Sequence, residues 1–183
     1  MARLSAEDWV RAATLQLAEG GVASVRVEPL AKKLGVSKGS FYWHFTDRAA
    51  LLRAVVEGWE QLGTLAIIDD VDREIDTPDG RLWALLERVF GRRGPLDHFE
   101  SAVRAWAARD SEVQAVVRRV DRRRLRYVAK LLEAAGIDAA EARRRAELLY
   151  CVLIGEFFQC SYGKAKLSRA SLQSLHHLML APA

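Results

Sequence analysis

Cysteine is scarce in this 183-residue chain: there are two, Cys151 and Cys160. They lie nine residues apart in a helical pattern, which at about 1.5 Å per residue separates them by roughly 13 Å. A disulfide cannot span that gap, and neither cysteine has the close partner of a zinc site. Both are expected to be buried, apolar-like thiols. Long hydrophobic runs are absent as well. No apolar stretch reaches the roughly 18–20 residues of a membrane-spanning helix. The segment from Met1 to Asp8 lacks the apolar core of a secretory signal. A cytoplasmic protein with no membrane partner is expected.

Reactive constellations are missing too. No serine, cysteine or carboxylate has a companion at a spacing that suggests catalysis, so an enzyme is not expected. Asp70, Asp72, Glu74 and Asp76 alternate like the start of a calcium loop. Ile75 stands where that loop needs glycine, and Arg81 where it needs a bidentate glutamate. His176 and His177 have no acidic or cysteine companion. No metal and no cofactor are expected.

What the chain does have is enough apolar material for a core: half of its residues are hydrophobic and 28% are charged. The net charge of +4 is unevenly placed. Residues 1–53 hold eight Lys/Arg against five Asp/Glu, while residues 54–183 hold twenty against nineteen. A basic N-terminal module on a near-neutral body points to a polyanionic partner for that module.

Helical periodicity dominates, and no strand-like alternation or internal repeat is present. Ser5-Ala6-Glu7-Asp8 reads as an N-cap followed by acids. The helix it opens carries Trp9, Val10, Ala13, Leu17 and Ala18 and stops at Gly20-Gly21. A second helix spans about 27–34, with Pro29 confined to its first turn. Gly35 makes a tight turn, Ser37 caps a third helix and Asp47 a fourth. Two short helices joined by a three-residue turn containing glycine form a helix-turn-helix, whose second member enters the major groove of DNA.

The fourth helix, about 47–68, carries Leu51, Leu52, Val55, Val56, Trp59 and Leu62 and connects the module to the body. Residues 69–76 read as an acidic loop. Further helices are expected at about 77–90, 96–109, 111–135, 138–162 and 168–180, with a break at 91–95. The fold class is therefore all-α with about nine helices: a three-helix N-terminal helix-turn-helix domain, residues 1–46, and a helical ligand-binding and dimerisation domain, residues 47–183.

The densest chemistry lies in Gly35-Val36-Ser37-Lys38-Gly39-Ser40-Phe41-Tyr42-Trp43-His44-Phe45. Phe41 and Phe45 are four residues apart and belong to the core of the module. Ser37, Lys38, Gly39 and Ser40 open the helix, where backbone N–H groups favour a phosphate. Gly39 lets a backbone approach closely, and Lys38 and Ser40 can reach base edges or phosphates.

In the order Leu30-Ala31-x-x-Leu34-Gly35-Val36-Ser37-Lys38-Gly39-Ser40-Phe41-Tyr42-Trp43-His44-Phe45-x-Asp47-Arg48-x-x-Leu51-Leu52, the chain resembles the TetR family of bacterial transcription regulators. The match covers about residues 9–53, and beyond it the similarity is one of helical architecture. The resemblance implies that Tyr42, Trp43 and His44 meet DNA together with Ser37, Lys38, Gly39 and Ser40, and that Arg48 contacts a phosphate. Two positions depart from the family pattern. Arg26 stands where family members often have a capping threonine, and Glu28 where they carry a polar or basic residue. A carboxylate at 28 repels phosphate.

The remaining expectations concern the body. The helix at 148–162 is apolar all round, with Leu149, Val152, Leu153 and Phe157 on one side and Leu148, Cys151, Ile154, Phe158 and Tyr162 on the other. With Leu172, Leu175, Leu178 and Met179 of the last helix, the first of these faces is expected to form a two-fold four-helix interface in a homodimer. Trp59, Trp83, Phe90, Phe99, Trp106, Tyr127 and Phe158 are expected to line a pocket for an apolar or aromatic small-molecule effector. Arg118, Arg119, Arg122, Arg123, Arg124 and Arg126 read as a solvated face, or as one for an anionic effector such as an acyl-CoA.

These readings converge on a homodimeric, ligand-responsive transcription regulator, a repressor that binds double-stranded, palindromic operator DNA through the helix at 38–44. The alternative is a small-molecule-binding signalling protein whose helix-turn-helix no longer binds DNA.

Overall fold

The computed structural model describes residues 4–91, 98–163 and 166–182. Those residues form helices joined by turns, with no strand among them. Helix α1, Ala6–Gly20, starts in a capping box: the Ser5 hydroxyl accepts from Asp8 N–H, and the Asp8 carboxylate accepts from Ser5 N–H. Its buried face is Trp9, Ala12, Ala13, Leu17 and Ala18. A short 3-10 turn, Val22–Ser24, leads to α2, Val27–Lys33, and then to α3, Lys38–Phe41.

Between α2 and α3 the chain reverses at Gly35, whose φ of 70° is open to glycine and strained for other residues. Val36 N–H reaches back to Ala31 C=O at 3.0 Å and closes the α2 end. Ser37 occupies the N-cap of α3 as expected, but its side chain makes no capping bond.

Helix α4, Arg48–Glu60, is capped by Asp47, whose carboxylate accepts from Ala50 N–H at 2.7 Å. It passes through a π-helical turn, Gln61–Leu65, directly into α5, Ala66–Glu74. The Arg124 guanidinium donates to the Thr64 hydroxyl and to Gly63 C=O in that turn. Counted as one helical run, 48–74 brings the described residues to nine helices.

The acidic loop expected at 69–76 is instead helical as far as Glu74. Ile67 and Val71, four apart, are buried while the acids point outward. An amphipathic stripe two residues deep was enough to carry the helix on.

Helix α6, Pro78–Phe90, starts from Thr77, whose hydroxyl accepts from Gly80 N–H. Helix α7 spans Phe99–Ala107, α8 Ser111–Ala134, α9 Ala139–Cys160 and α10 Arg169–Leu180. Apart from Gly91, the break expected at 91–95 lies outside the described residues, as does the expected start of the following helix at 96.

The chain divides into two compact units. The first comprises residues 1–61 and 94–117; within it α1 packs against α4 and α7, and α2 against α3. The Trp59 indole N–H donates to the Glu100 carboxylate at 2.8 Å, and Arg104 donates to the same carboxylate.

The second unit comprises residues 62–93 and 118–183. Its core joins Leu82, Leu86 and Phe90 to Val128, Leu132, Ala146, Leu149, Leu153, Leu172 and Met179. The buried Arg145 donates to Met179 C=O and Ala181 C=O and pairs with Glu141, so a cation stands at the carbonyl end of α10. No helix among the described residues is long and apolar enough to cross a membrane.

Candidate nucleic-acid interface

The helix-turn-helix sorts its aromatics by depth. Phe41 is fully buried, edge-on to Trp9 at 5.2 Å and stacked on Phe45 at 5.6 Å. Phe45 is half-buried. Tyr42 and Trp43 point outward, 56% and 79% exposed. The regular helix is shorter than the stretch 38–44 expected from sequence. After Phe41 the chain tightens, with Tyr42 N–H on Gly39 C=O and His44 N–H on Phe41 C=O. These i→i+3 bonds fan the side chains of 42–44 around a tighter turn.

Ser37, Lys38 and Gly39 are exposed, and Ser40 and His44 are half-buried. These residues, with Tyr42 and Trp43, therefore lie along one short surface turn. Gly39 has no positive φ, and a Cβ built on it would meet only the Ser37 hydroxyl, at an ordinary 3.6 Å. Nothing inside the chain requires glycine there.

Two cations are already engaged. The Arg48 guanidinium donates to Val25 C=O and to Val22 C=O, both at 2.5 Å, tying the start of α4 to the turn after α1. This is a scaffolding contact that the sequence pattern did not reveal. Lys38 Nζ lies 2.7 Å from Glu28 Oε1. The hydrogen bond between them holds the Glu28 carboxyl below its usual range and the Lys38 ammonium above its own. Arg26 is exposed at the N-cap of α2 and makes no side-chain capping bond.

None of the aromatics expected around an effector lines either of two clefts in the body. Trp59, Phe90 and Phe99 are buried core residues. Trp106 is half-buried, with its indole N–H on Asp110, and the Tyr127 hydroxyl donates to Asp72 at 2.8 Å. Trp83 is flanked by His176 and Arg169, and Phe158 is 66% exposed. A cleft of about 270 Å³ lies elsewhere, between Leu125, Arg126, Lys130, Arg143 and Glu147. Another, of about 420 Å³, is lined by Cys151, Val152, Glu156, Gln159 and Leu167.

The expected partner face also needs correction. Leu149, Leu153, Leu172 and Met179 are buried in the chain's own core, and Phe157 and Leu175 pack against it. Of the eight residues assigned to the interface, Val152 and Leu178 are exposed. It is the opposite side of α9 that is open, with Leu148 and Phe158, and Tyr162 in the turn that follows, all more than 60% exposed. Cys160 is buried, but Cys151 lies on that open side. Both faces of α9 are apolar, so periodicity could not tell which one the chain would cover for itself.

An N-terminal helix-turn-helix with an outward aromatic turn is the arrangement of a DNA-binding module. Residues 10–55 match the family model described as bacterial regulatory proteins, tetR family. The tetracycline repressor protein class A from transposon 1721 of Escherichia coli is 40% identical over 57 residues, 31% of this chain and 26% of that protein. The HTH-type transcriptional regulator TtgR of Pseudomonas putida is 32% identical over 82 residues, 44% of this chain and 39% of that protein. These matches thus span about a quarter to two-fifths of the curated relatives.

Solved structures share the whole fold. A transcriptional regulator from Rhodococcus sp. Rha1 superposes with a TM-score of 0.73 at 23% identity, over 97% of this chain and 94% of that one. A Saccharomonospora viridis protein in complex with choline gives 0.77 at 17% identity, over 95% and 92%. The N-terminal helices of this chain are thus similar to the tetR family over residues 10–55, and the whole chain shares the fold of these solved structures.

Proposed function

We propose that the protein is a homodimeric transcriptional repressor that binds a palindromic operator and responds to a small effector. Residues 1–46 form the DNA-binding domain, and 47–183 the effector-binding and dimerisation domain. The observation that carries the reading is the turn at 38–44. It buries Phe41 to fix its own position and spends Tyr42 and Trp43, two of the most costly apolar side chains to expose, on the outside. Beside them Lys38 and Ser40 supply donors, and Gly39 leaves room for a backbone that is not its own. The two recognition turns would enter successive major grooves about 34–36 Å apart or somewhat more.

Leu148, Val152 and Phe158 of α9, Tyr162 just past its end and Leu178 of α10 form the pairing surface, because the chain leaves them exposed. An apolar or aromatic effector taken up in the body would act only through its differential affinity for the DNA-bound and free arrangements. The likeness to a choline complex and to a tetracycline repressor supports a small organic effector.

Titrating duplexes from a random-sequence pool in increasing salt tests the reading. Sequence-selective binding is expected, with log K falling steeply against log salt. A protein that selects no duplex at low salt is not a DNA-binding regulator.

A further inference from the structure

We propose that Glu28 is a specificity-determining positioning residue that withholds Lys38 from random DNA; this rests on the DNA-binding reading above. Lys38 is the one Lys or Arg between Ser37 and Phe45, so the recognition turn carries a single full cation. That cation is not left for phosphate. Its ammonium lies 2.7 Å from the Glu28 carboxylate, across the gap from α3 to α2. The side chains are 52% and 72% exposed, so the pair stands on the surface and not in the core.

An ammonium has three donors and the carboxylate occupies one of them. The acceptor atoms of a guanine edge, N7 and O6, can take the spare N–H groups while the ion pair stays closed. A phosphate oxygen can also accept a spare N–H, but its charge lies against that of Glu28, so the closed pair weakens that contact and spares the one to a neutral base edge. The pair therefore taxes contacts that carry no sequence information and spares those that do, which is discrimination by repulsion. The departure at 28 from the family pattern, a loss of affinity when taken alone, becomes a gain in selectivity once its partner is known.

The experiment is a salt titration of Glu28→Gln on two probes: a mixed-sequence duplex of about 30 base pairs and the tightest duplex recovered from a random pool. It is run in the natural background and again with Lys38→Met. Freeing the ammonium should release about one more counterion per protomer on the mixed-sequence duplex. Its slope then steepens by about 0.9 per protomer, about 1.8 for the dimer, an additional loss of about 12-fold between 50 and 200 mM salt. Affinity for mixed sequence rises at low salt, and the ratio of selected to mixed binding falls. With Lys38→Met present, the same substitution should move the slope by less than a third as much.

An unchanged slope in Glu28→Gln overturns the proposal. So does a gain that persists in full without Lys38, since Glu28 would then be a plain repulsive charge. Failure of the unsubstituted protein to bind any duplex is a separate result: it removes the DNA-binding reading itself and this inference with it. Thermal unfolding should be alike for all four proteins, because both side chains are exposed.

Discussion

Single residues in the recognition turn divide into those that hold it and those that use it, and substitution separates the two. Phe41→Ala empties a fully buried site beside Trp9 and should cost about 3–5 kcal/mol in denaturant unfolding. Gly39→Ala has the opposite signature. Helical φ and free space at 39 predict unchanged or slightly higher stability, by up to about 1 kcal/mol, while the added methyl group stands where a DNA backbone would approach. Loss of DNA binding with stability retained is the expected result; full binding would remove Gly39 from the interface.

Asp138 gives a pH signature. Its carboxylate accepts from Ala140 and Glu141 N–H, and these bonds hold its pKa below the ordinary 3.8. Because the folded value is the lower one, the stabilisation is present above about pH 4 and fades as pH falls through that folded value. Asp138→Ala should flatten this acid limb in a series of melting curves.

The division of 41–45 into inside and outside was legible from sequence, because i and i+4 share a helical face. The engagement of Arg48 and Lys38 was not. Each cation is satisfied by a partner far along the chain, Val22 and Val25 for one and Glu28 for the other. No local pattern announces such a partner.

At the scale of elements, helix starts have local signals: Ser5 and Asp47 accept the capping bonds expected of them, Ser37 accepts none, and Thr77, Asp138 and Ser168 accept such bonds at the starts of their helices. Helix ends and continuations depend on tertiary burial. Ile67 and Val71 drew residues 69–74 into α5 against their acidic composition. Arg145 is the clearest tertiary device. It lies in mid-α9 within a run of three arginines that looks like a solvated face, yet it is buried on the carbonyl end of α10. Arg145→Ala orphans those carbonyls and leaves Glu141 paired with Arg144 alone, and should cost about 2–4 kcal/mol. Amide exchange in the last turn of α10 should accelerate well before the rest of the chain; uniform acceleration would mean that α10 is held mainly by its leucines.

For the whole molecule, both apolar sides of α9 were visible in the sequence, and only the packed chain decides between them. Leu149 and Leu153 turn inward, while Leu148, Val152, Phe158 and Tyr162 remain open. A charge therefore acts differently on the two sides. Phe158→Asp or Leu178→Asp should halve the mass seen by sedimentation while the monomer stays folded. Leu153→Asp should instead unfold it. A monomer before any substitution would leave this face without the second copy proposed for it.

The aromatic depth profile also has an optical consequence. The chain carries five tryptophans. Trp9 and Trp59 are buried, Trp83 and Trp106 half-buried, and Trp43 is open to solvent. Trp43 should dominate the red edge of the emission and most of the quenching by acrylamide. It sits where the operator would cover it, so the protein contains its own occupancy gauge: added duplex should shield one indole in five and leave the other four unmoved.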